Sequence, residues 1–473
     1  MSEHIDTDLL VIGAGSGGLS AAAGAVQMGA RVVLLEGGRM GGDCLNYGCV
    51  PSKALLASGK RAHAMTAGTP FGIGTAEPRV DFAAVKDHVA EVIAGIAPHD
   101  SVERFEALGV RVIPEYGRFI AWDTVDAGAT RITARRIVLA PGSRPFVPPI
   151  PGLDEVPHYT NETIFELRER PEHLLIIGGG PIGMEMAQAH ARLGSRVTVL
   201  EGMRALGNDD PDLTAVALRR LRAEGIEIHE QAMAGKVTQS DDQITVHTKD
   251  GPAHTGSHLL IAVGRRANTE SLDLGRAGIE TTETGIKVDS RLRTTNRRVY
   301  AIGDAAGGLQ FTHVANYHAG IVIRSALFGL PARAKTAHLP RVTYTDPELA
   351  QVGMTEAQAR ETHGGNLEVV RFPYNHNDRA IAERKTEGLI KVMVVRGRPV
   401  GVSVAGAQAG ELINLWALVI ANRLKMKHVA GMVAPYPTLG EINKRAAGAY
   451  FSPRLFDSVM VKRVVGFVQR WLP

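Results

Sequence analysis

Cysteine is nearly absent from this chain: Cys44 and Cys49 are the only two in 473 residues. So sparse a supply excludes a disulfide-stapled scaffold, and no metal site is expected. A surplus of one charge is also missing. Fifty-three Lys and Arg face 49 Asp and Glu, for a formal net charge of +4, which argues against a nucleic-acid partner. No hydrophobic run approaches the roughly twenty residues needed to cross a bilayer. The longest in the C-terminal third, Leu412 to Ala421, is interrupted by Asn414. The first residues lack a basic segment followed by an apolar one, so export is not expected and the site of action is placed in the cytoplasm. What is present is apolar material, 44% of the chain, enough for sizeable cores in about three domains.

The two cysteines stand in Gly41-Gly42-Asp43-Cys44-Leu45-Asn46-Tyr47-Gly48-Cys49-Val50-Pro51-Ser52-Lys53. Asn46 and Gly48 tolerate positive φ and are expected to curl the chain so that the sulfurs meet. Pro51 suits the first turn of a helix that the run Ser52 to Met65 continues. A helix N-terminus and the cation Lys53 both favour thiolate over thiol, and thiolate is the reactive form. The pair reads as a working dithiol, with a structural disulfide as the alternative.

After an apolar strand, Leu9 to Ile12, come Gly13, Gly15 and Gly18, a small-residue helix, a second strand from Arg31 to Leu35, and Glu36 at its end. The device recurs: Leu174 to Ile177, then Gly178, Gly180 and Gly183, a helix, a strand from Arg196 to Leu200, and Glu201. Each copy is a complete βαβ dinucleotide fingerprint, in which glycines admit a pyrophosphate at a helix N-terminus and the acidic residue accepts hydrogen bonds from ribose hydroxyls. Two dinucleotides beside a dithiol imply a relay from nicotinamide through flavin to sulfur. Glu201 repels a 2′-phosphate, so NADH is favoured over NADPH, with Arg204 moderating the preference.

On these features the sequence resembles the class I pyridine nucleotide-disulfide oxidoreductases over nearly its whole length. The implied fold class is α/β, with two Rossmann-like domains for FAD and NAD and a C-terminal α+β dimerisation domain. The boundaries expected are 1–145 and 269–338 for the flavin segments, 146–268 for the nicotinamide domain and 339–473 for the dimerisation domain. Ala140-Pro141-Gly142 and Ala262-Val263-Gly264-Arg265 look like the family's two junction segments, and Val299 to Asp304 is similar to its second flavin motif. The resemblance places Asp304 on the ribityl chain and sets Phe311-Thr312-His313 at a helix start facing the flavin's pyrimidine side, with His313 and His318 otherwise ordinary helix residues. It makes Cys49 the thiol beside the flavin, Cys44 the thiol that meets substrate, Lys53 and Glu185 an ion pair beneath the ring, and Gly42 part of the flavin cradle. It also implies a homodimer in which the partner chain completes each active site.

Departures from the family carry the information about substrate. Where dihydrolipoamide dehydrogenase and glutathione reductase have a His-Pro-Thr segment, this chain reads Pro435-Tyr436-Pro437-Thr438, with Glu441 as the expected partner of Tyr436. A phenol titrating near 10 replaces an imidazole titrating near 6.5, so Tyr436 shuttles protons poorly at neutral pH but still donates a hydrogen bond. Tyrosine here resembles mercuric reductase, yet the C-terminal cysteine pair of that enzyme is missing. Asp43 replaces a common threonine and is expected to raise the pKa of Cys44, giving a sluggish substrate thiol. The segment Val459 to Leu472, apolar on one side and basic on the other, is expected to dock on its own dimerisation domain, with a membrane surface or a partner as the alternative. The function expected is FAD-dependent NAD(P)H oxidoreduction through the dithiol to a disulfide or metal-ion acceptor. Dihydrolipoamide dehydrogenase proper is the rival, and a redox-responsive binding protein is the reading from another class.

Overall fold

A computed structural model describes residues 3–472 and has the mixed α/β architecture expected. The backbone clusters into two compact units, one of residues up to 203 together with 226–335, the other of 204–225 together with residues from 336 on.

The first unit holds two sheets built around parallel strands. In one, the order is Arg111–Ile113, Val32–Leu35, Glu3–Ile12 and Thr130–Leu139, all parallel, followed by the antiparallel Thr124–Ala127 and Gly117–Phe119. Strands at the centre of such a sheet are covered on both faces, which is why Leu9 to Ile12 and Val32 to Leu35 read as unbroken apolar runs rather than alternating ones. The late strand Val299–Ala301 pairs in parallel with Ile137 to Leu139, so the chain returns to this sheet and delivers Gly303 and Asp304 to its carboxyl edge. The second sheet runs Glu227–His229, Arg196–Leu200, His173–Ile177, His258–Ile261, again all parallel. Both sheets end at the same kind of edge, where glycine-rich turns lead into the helices Ser16–Gln27 and Pro181–Arg192.

The second unit is a five-stranded antiparallel sheet, in the order Pro340–Thr343, Glu348–Gly353, Arg398–Gly406, Leu389–Val395, Leu367–Pro373. Helices Ala409–Ala421 and Glu441–Phe456 contribute Trp416, Ile442 and Ala446 to its core, and the Trp416 indole N–H donates to Asn443 Oδ1 at 2.8 Å. Helix Pro211–Ala223 belongs here too, although the chain reaches it from the second nucleotide sheet. The tie is electrostatic. Lys391 is only 2% exposed, and its Nζ lies 2.7 Å from Asp210, 2.6 Å from Asp212 and 2.8 Å from Glu356.

One expectation is overturned. Helix Val459–Trp471 does not bury its apolar stripe on its own unit, since none of its residues is buried. The turn between the cysteines also differs. Asn46 and Gly48 keep negative φ, and it is Gly41 and Gly42 that adopt the left-handed conformation. Gly48 is needed for space instead: a Cβ there would lie 2.8 Å from Asp43 Oδ2 and 3.0 Å from the Asp43 carbonyl oxygen.

Replacing Lys391 by Met leaves buried Asp210 without its cation, and a broken buried ion pair costs about 3–5 kcal/mol. Urea unfolding followed by circular dichroism is expected to show that loss in the Lys391→Met protein. A loss below about 1 kcal/mol, the range of a solvated surface pair, would mean that the cluster is not the tie described.

Candidate active site

The two nucleotide turns are built alike, hydrogen bond for hydrogen bond. Gly13 N–H donates to Leu35 O and Gly178 N–H to Leu200 O, while Ala140 N–H donates to Ile12 O and Ala262 N–H to Ile177 O. Close approach explains the first and third glycines of each motif. A Cβ at Gly13 or Gly178 would fall 2.2 or 2.4 Å from the carbonyl oxygen of Ala140 or Ala262, and one at Gly18 or Gly183 would fall 1.8 or 2.0 Å from the oxygen of Gly13 or Gly178. The middle glycines are different. Gly15 meets nothing closer than Gly42 Cα at 4.0 Å, and Gly180 meets nothing within 4 Å. Open space at the start of a helix, with backbone N–H groups facing it, is the cradle a pyrophosphate requires. Glu36 and Glu201 close each turn in the same way: Oε2 accepts from Ala14 N–H at 2.6 Å or Gly179 N–H at 2.7 Å, and Oε1 from Gly38 N–H or Met203 N–H, both at 2.8 Å. Gly142 and Gly264 stand at the ends of neighbouring strands with positive φ and open space around them.

The dithiol lies against the first of these turns. Gly42 sits so close to Gly15 that a Cβ on it would come within 2.7 Å of the Gly15 Cα. Cys44 is in the short helix Gly42–Asn46 and Cys49 is the first residue of helix Cys49–Thr66, with both present as free thiols. Their environments push them apart. The hydrogen bond from Cys44 brings the Cys49 thiol down to about 6 against partial desolvation by its neighbours, helped by the Thr312 hydroxyl at 3.4 Å and by the Lys53 cation. The same bond, with burial, holds Cys44 well above the ordinary thiol range. Asp43 adds to that rise in the expected direction but is a small contributor, because its carboxylate is shared. Arg265, which is mostly buried, reaches Asp43 Oδ1 at 2.9 Å, and Asn161 donates to the same oxygen at 3.0 Å.

Lys53 Nζ is 2.7 Å from Glu185 Oε2, and the Glu185 side chain is 6% exposed. Asp304 accepts from the Ser143 hydroxyl, while Arg265 donates to that hydroxyl and to the Ser143 carbonyl at 2.7 Å each, so Cys44's neighbour Asp43 and Asp304 share one guanidinium. His313 stacks on Phe311 with ring centroids 5.4 Å apart. Burial lowers the pKa of His318, and its Nδ1 accepts from Gly303 N–H at 3.2 Å, bracing the turn that carries Asp304. A cavity of about 320 Å³ opens on Cys44, with Leu19, Leu45, Ile96 and Phe105 as its apolar wall and Asp100 and Arg104 among its polar groups.

Residues 7–319 match the family described as pyridine nucleotide-disulphide oxidoreductase, and 339–447 match that family's dimerisation domain. The chain belongs to this family. It is 36% identical over 464 residues to a mercuric reductase of Streptomyces lividans, covering 96% of this chain and 98% of that one. It is also 36% identical to the dihydrolipoyl dehydrogenase of Bacillus subtilis (strain 168), with 94% and 96% covered. Among solved structures, a Cu(II) complex of the HOCl-induced flavoprotein disulfide reductase RclA from Escherichia coli superposes with a TM-score of 0.83 at 29% identity, over 93% of this chain and 99% of that one. LpdA from Mycobacterium tuberculosis gives 0.87 at 26% identity over the same shares. The family's members are flavoprotein oxidoreductases with a redox-active disulfide, FAD and a pyridine nucleotide, and the open cradles at Gly15 and Gly180 fit those two groups. The dimerisation domain supports a homodimer. Among the described residues, no helix is long and apolar enough to cross a membrane.

In the dimerisation domain, Tyr436 is 69% exposed, and its phenol is held by Asp378, which raises its pKa. The expected pairing with Glu441 is not made. Glu441 Oε1 accepts from Arg445 Nε at 3.0 Å, and its Oε2 is buried with no partner. Sequence reasoning missed Arg265 as the counter-charge of Asp43, Asn161 as its second donor, Thr312 as the hydroxyl on Cys49, and Asp100 in the cavity wall. Arg265 and Thr312 lie within segments already singled out, so spacing marked the neighbourhood but not the contact; Asn161 and Asp100 lie far from the dithiol in sequence.

In reduced, flavin-free protein, thiolate absorbance near 240 nm is expected to show one thiolate forming with a midpoint near pH 6 and the other staying protonated through neutral pH. The sign is that of a depressed acid, so the thiolate is present above the midpoint and lost as pH falls through it. Thr312→Val removes a stabilising hydroxyl and should move the midpoint upward by about 0.5–1 unit. An unmoved midpoint would show that the hydroxyl does not stabilise the sulfur.

Proposed function

We propose that the protein oxidises NADH with an FAD prosthetic group and passes the electron pair through Cys44 and Cys49 to a disulfide or metal-ion acceptor. The observation that carries this reading is the unequal placement of the two thiols: Cys49 opens a helix with the Thr312 hydroxyl 3.4 Å from its sulfur, and Cys44 stands on the wall of a cavity. Bound FAD supplies the two-electron step between nicotinamide and sulfur, and the remaining work falls to this chain's residues.

Glu36 and Glu201 would accept hydrogen bonds from the ribose hydroxyls of the flavin and nicotinamide dinucleotides, and Asp304, with Ser143 and Arg265, would hold the ribityl side. Glu201 disfavours a 2′-phosphate, which supports NADH. Lys53, fixed by the mostly buried Glu185, places positive charge near Cys49 and, with FAD bound, would help the flavin accept negative charge. With a disulfide acceptor, the Cys44 sulfur gives up its proton, attacks one acceptor sulfur and breaks the acceptor's S–S bond, releasing the other sulfur as a thiolate that takes a proton. The Cys49 thiolate then attacks Cys44, forming the Cys44–Cys49 disulfide and expelling the remaining acceptor thiolate, which takes a second proton. Across the sequence the acceptor gains two electrons and the dithiol loses two.

A second copy of the chain contributes Tyr436 to this cavity, where its single O–H must leave Asp378 to donate a hydrogen bond to substrate. It is no proton shuttle at neutral pH, because Asp378 pushes an already weak acid further up. Both cofactors and a reduced dithiol suit the cytoplasm. The Cu(II) complex of RclA supports testing metal ions beside disulfides, and the likeness to dihydrolipoyl dehydrogenase keeps lipoamide among the acceptors to be tried.

An anaerobic stopped-flow screen of lipoamide, glutathione disulfide, small disulfides, quinones, Cu(II) and Hg(II) identifies the acceptor. With it, Cys44→Ser is expected to keep flavin reduction by NADH and to lose at least about a hundredfold in acceptor turnover. Turnover that survives the loss of either thiol would end the proposal. Tyr436→His restores a group titrating near neutrality and is expected to raise dihydrolipoamide oxidation about tenfold or more. No gain would show that another feature limits that reaction.

A further inference from the structure

The helix Val459–Trp471 is capped by Ser458, whose side chain accepts from Val461 N–H at 3.3 Å. Met460, Val464, Phe467 and Trp471 recur at spacings of four, three and four, which places them on one stripe of a helix with about 3.6 residues per turn. They are 76%, 53%, 65% and 72% exposed, and no residue of the helix is buried. The Phe467 and Trp471 rings touch each other, with centroids 6.3 Å apart. Lys462, Arg463 and Arg470 are the helix's only charged residues, and all three lie off the stripe on its polar side. Phe456, the last residue of the preceding helix, is likewise 68% exposed.

We propose that this helix seats the protein in the plane of an anionic phospholipid bilayer. Two features have to be matched at once. An apolar stripe of this size requires cover, and a cationic arc without a single carboxylate requires an anionic rim. A second copy matches the first feature but not the second, because a two-fold contact through this helix sets identical cationic edges against each other. The segment shared with the family's dimerisation domain also stops at residue 447, before the helix begins. A leaflet carrying anionic headgroups matches both: Phe467, Trp471 and Met460 enter the acyl boundary, and the guanidinium and ammonium groups remain among the phosphates. With 13 residues, no more than about 20 Å long, the helix lies on the surface and does not span it.

The test uses full-length, FAD-loaded protein and sucrose-loaded vesicles sedimented at low and high salt. Vesicles of phosphatidylcholine with phosphatidylglycerol are expected to carry the protein down, and phosphatidylcholine alone is not. Phe467→Ser with Trp471→Ser, and separately Lys462→Gln with Arg463→Gln and Arg470→Gln, should each weaken vesicle binding about a hundredfold while NADH oxidation in solution is unchanged. Failure of the wild type to sediment with anionic vesicles overturns the proposal. So does equal binding to both lipid compositions, or binding that survives both sets of substitutions. Analytical ultracentrifugation covers the other occupant: substitutions that dissociate the dimer without any vesicle binding in the wild type would assign the stripe to a second copy.

Discussion

A thiolate at neutral pH has to be held by what surrounds it. Everything about the dithiol follows from how that is done here. Cys49 opens a helix, receives a hydrogen bond from Cys44, lies within reach of the Thr312 hydroxyl and has the Lys53 cation nearby. None of these would stabilise a neutral thiol to the same degree, so the pair is polarised before any acceptor arrives. The cation is itself fixed, because Glu185 is nearly inaccessible to water and leaves Lys53 little choice of position. The acidic neighbour introduced by Asp43 is tolerated because Arg265 and Asn161 absorb it. A carboxylate that looked disruptive in sequence is part of a closed charge arrangement reaching as far as Asp304.

The two nucleotide turns show how one backbone solution serves two ligands. Their glycines and terminal glutamates make equivalent hydrogen bonds, and their N-cap residues adopt nearly the same conformation, Gly15 at φ −77°, ψ 179° and Gly180 at φ −76°, ψ −177°. What separates them is the company each keeps. Gly15 lies against Gly42 and therefore against the segment carrying the thiols, while no such segment approaches Gly180. The repeated fold binds, and the neighbourhood decides which copy takes part in sulfur chemistry.

Much of this was legible in the sequence, for a physical reason. Glycines whose Cβ would strike a carbonyl oxygen, strands buried on both faces and a proline in a first helical turn each leave a local mark that needs no knowledge of the rest of the chain. Lys53 with Glu185 was readable only through the family, because the two are brought together by packing between distant helices. Long-range pairings without a motif stayed hidden: Arg265 with Asp43, Asn161 with Asp43, Lys391 with Asp210. The turn between the cysteines was misjudged because positive φ was assigned to the residues between the thiols, whereas the glycines before Cys44 carry it. The orientation of Tyr436 was misjudged because Asp378, distant in sequence, competes with Glu441 for its hydroxyl.

Helix Pro211–Ala223 is encoded within the nucleotide region and folds with the C-terminal sheet. Its buried face, with Leu213, Val216, Ala217 and Leu221, is covered there, and Lys391 neutralises its acidic cap. Modularity is therefore lower than the linear order suggests. A fragment cut at the start of the C-terminal sheet would strand the helix's apolar face on one side and a buried ammonium on the other, so recombination between relatives has to exchange residues 204–225 together with the sheet that receives them.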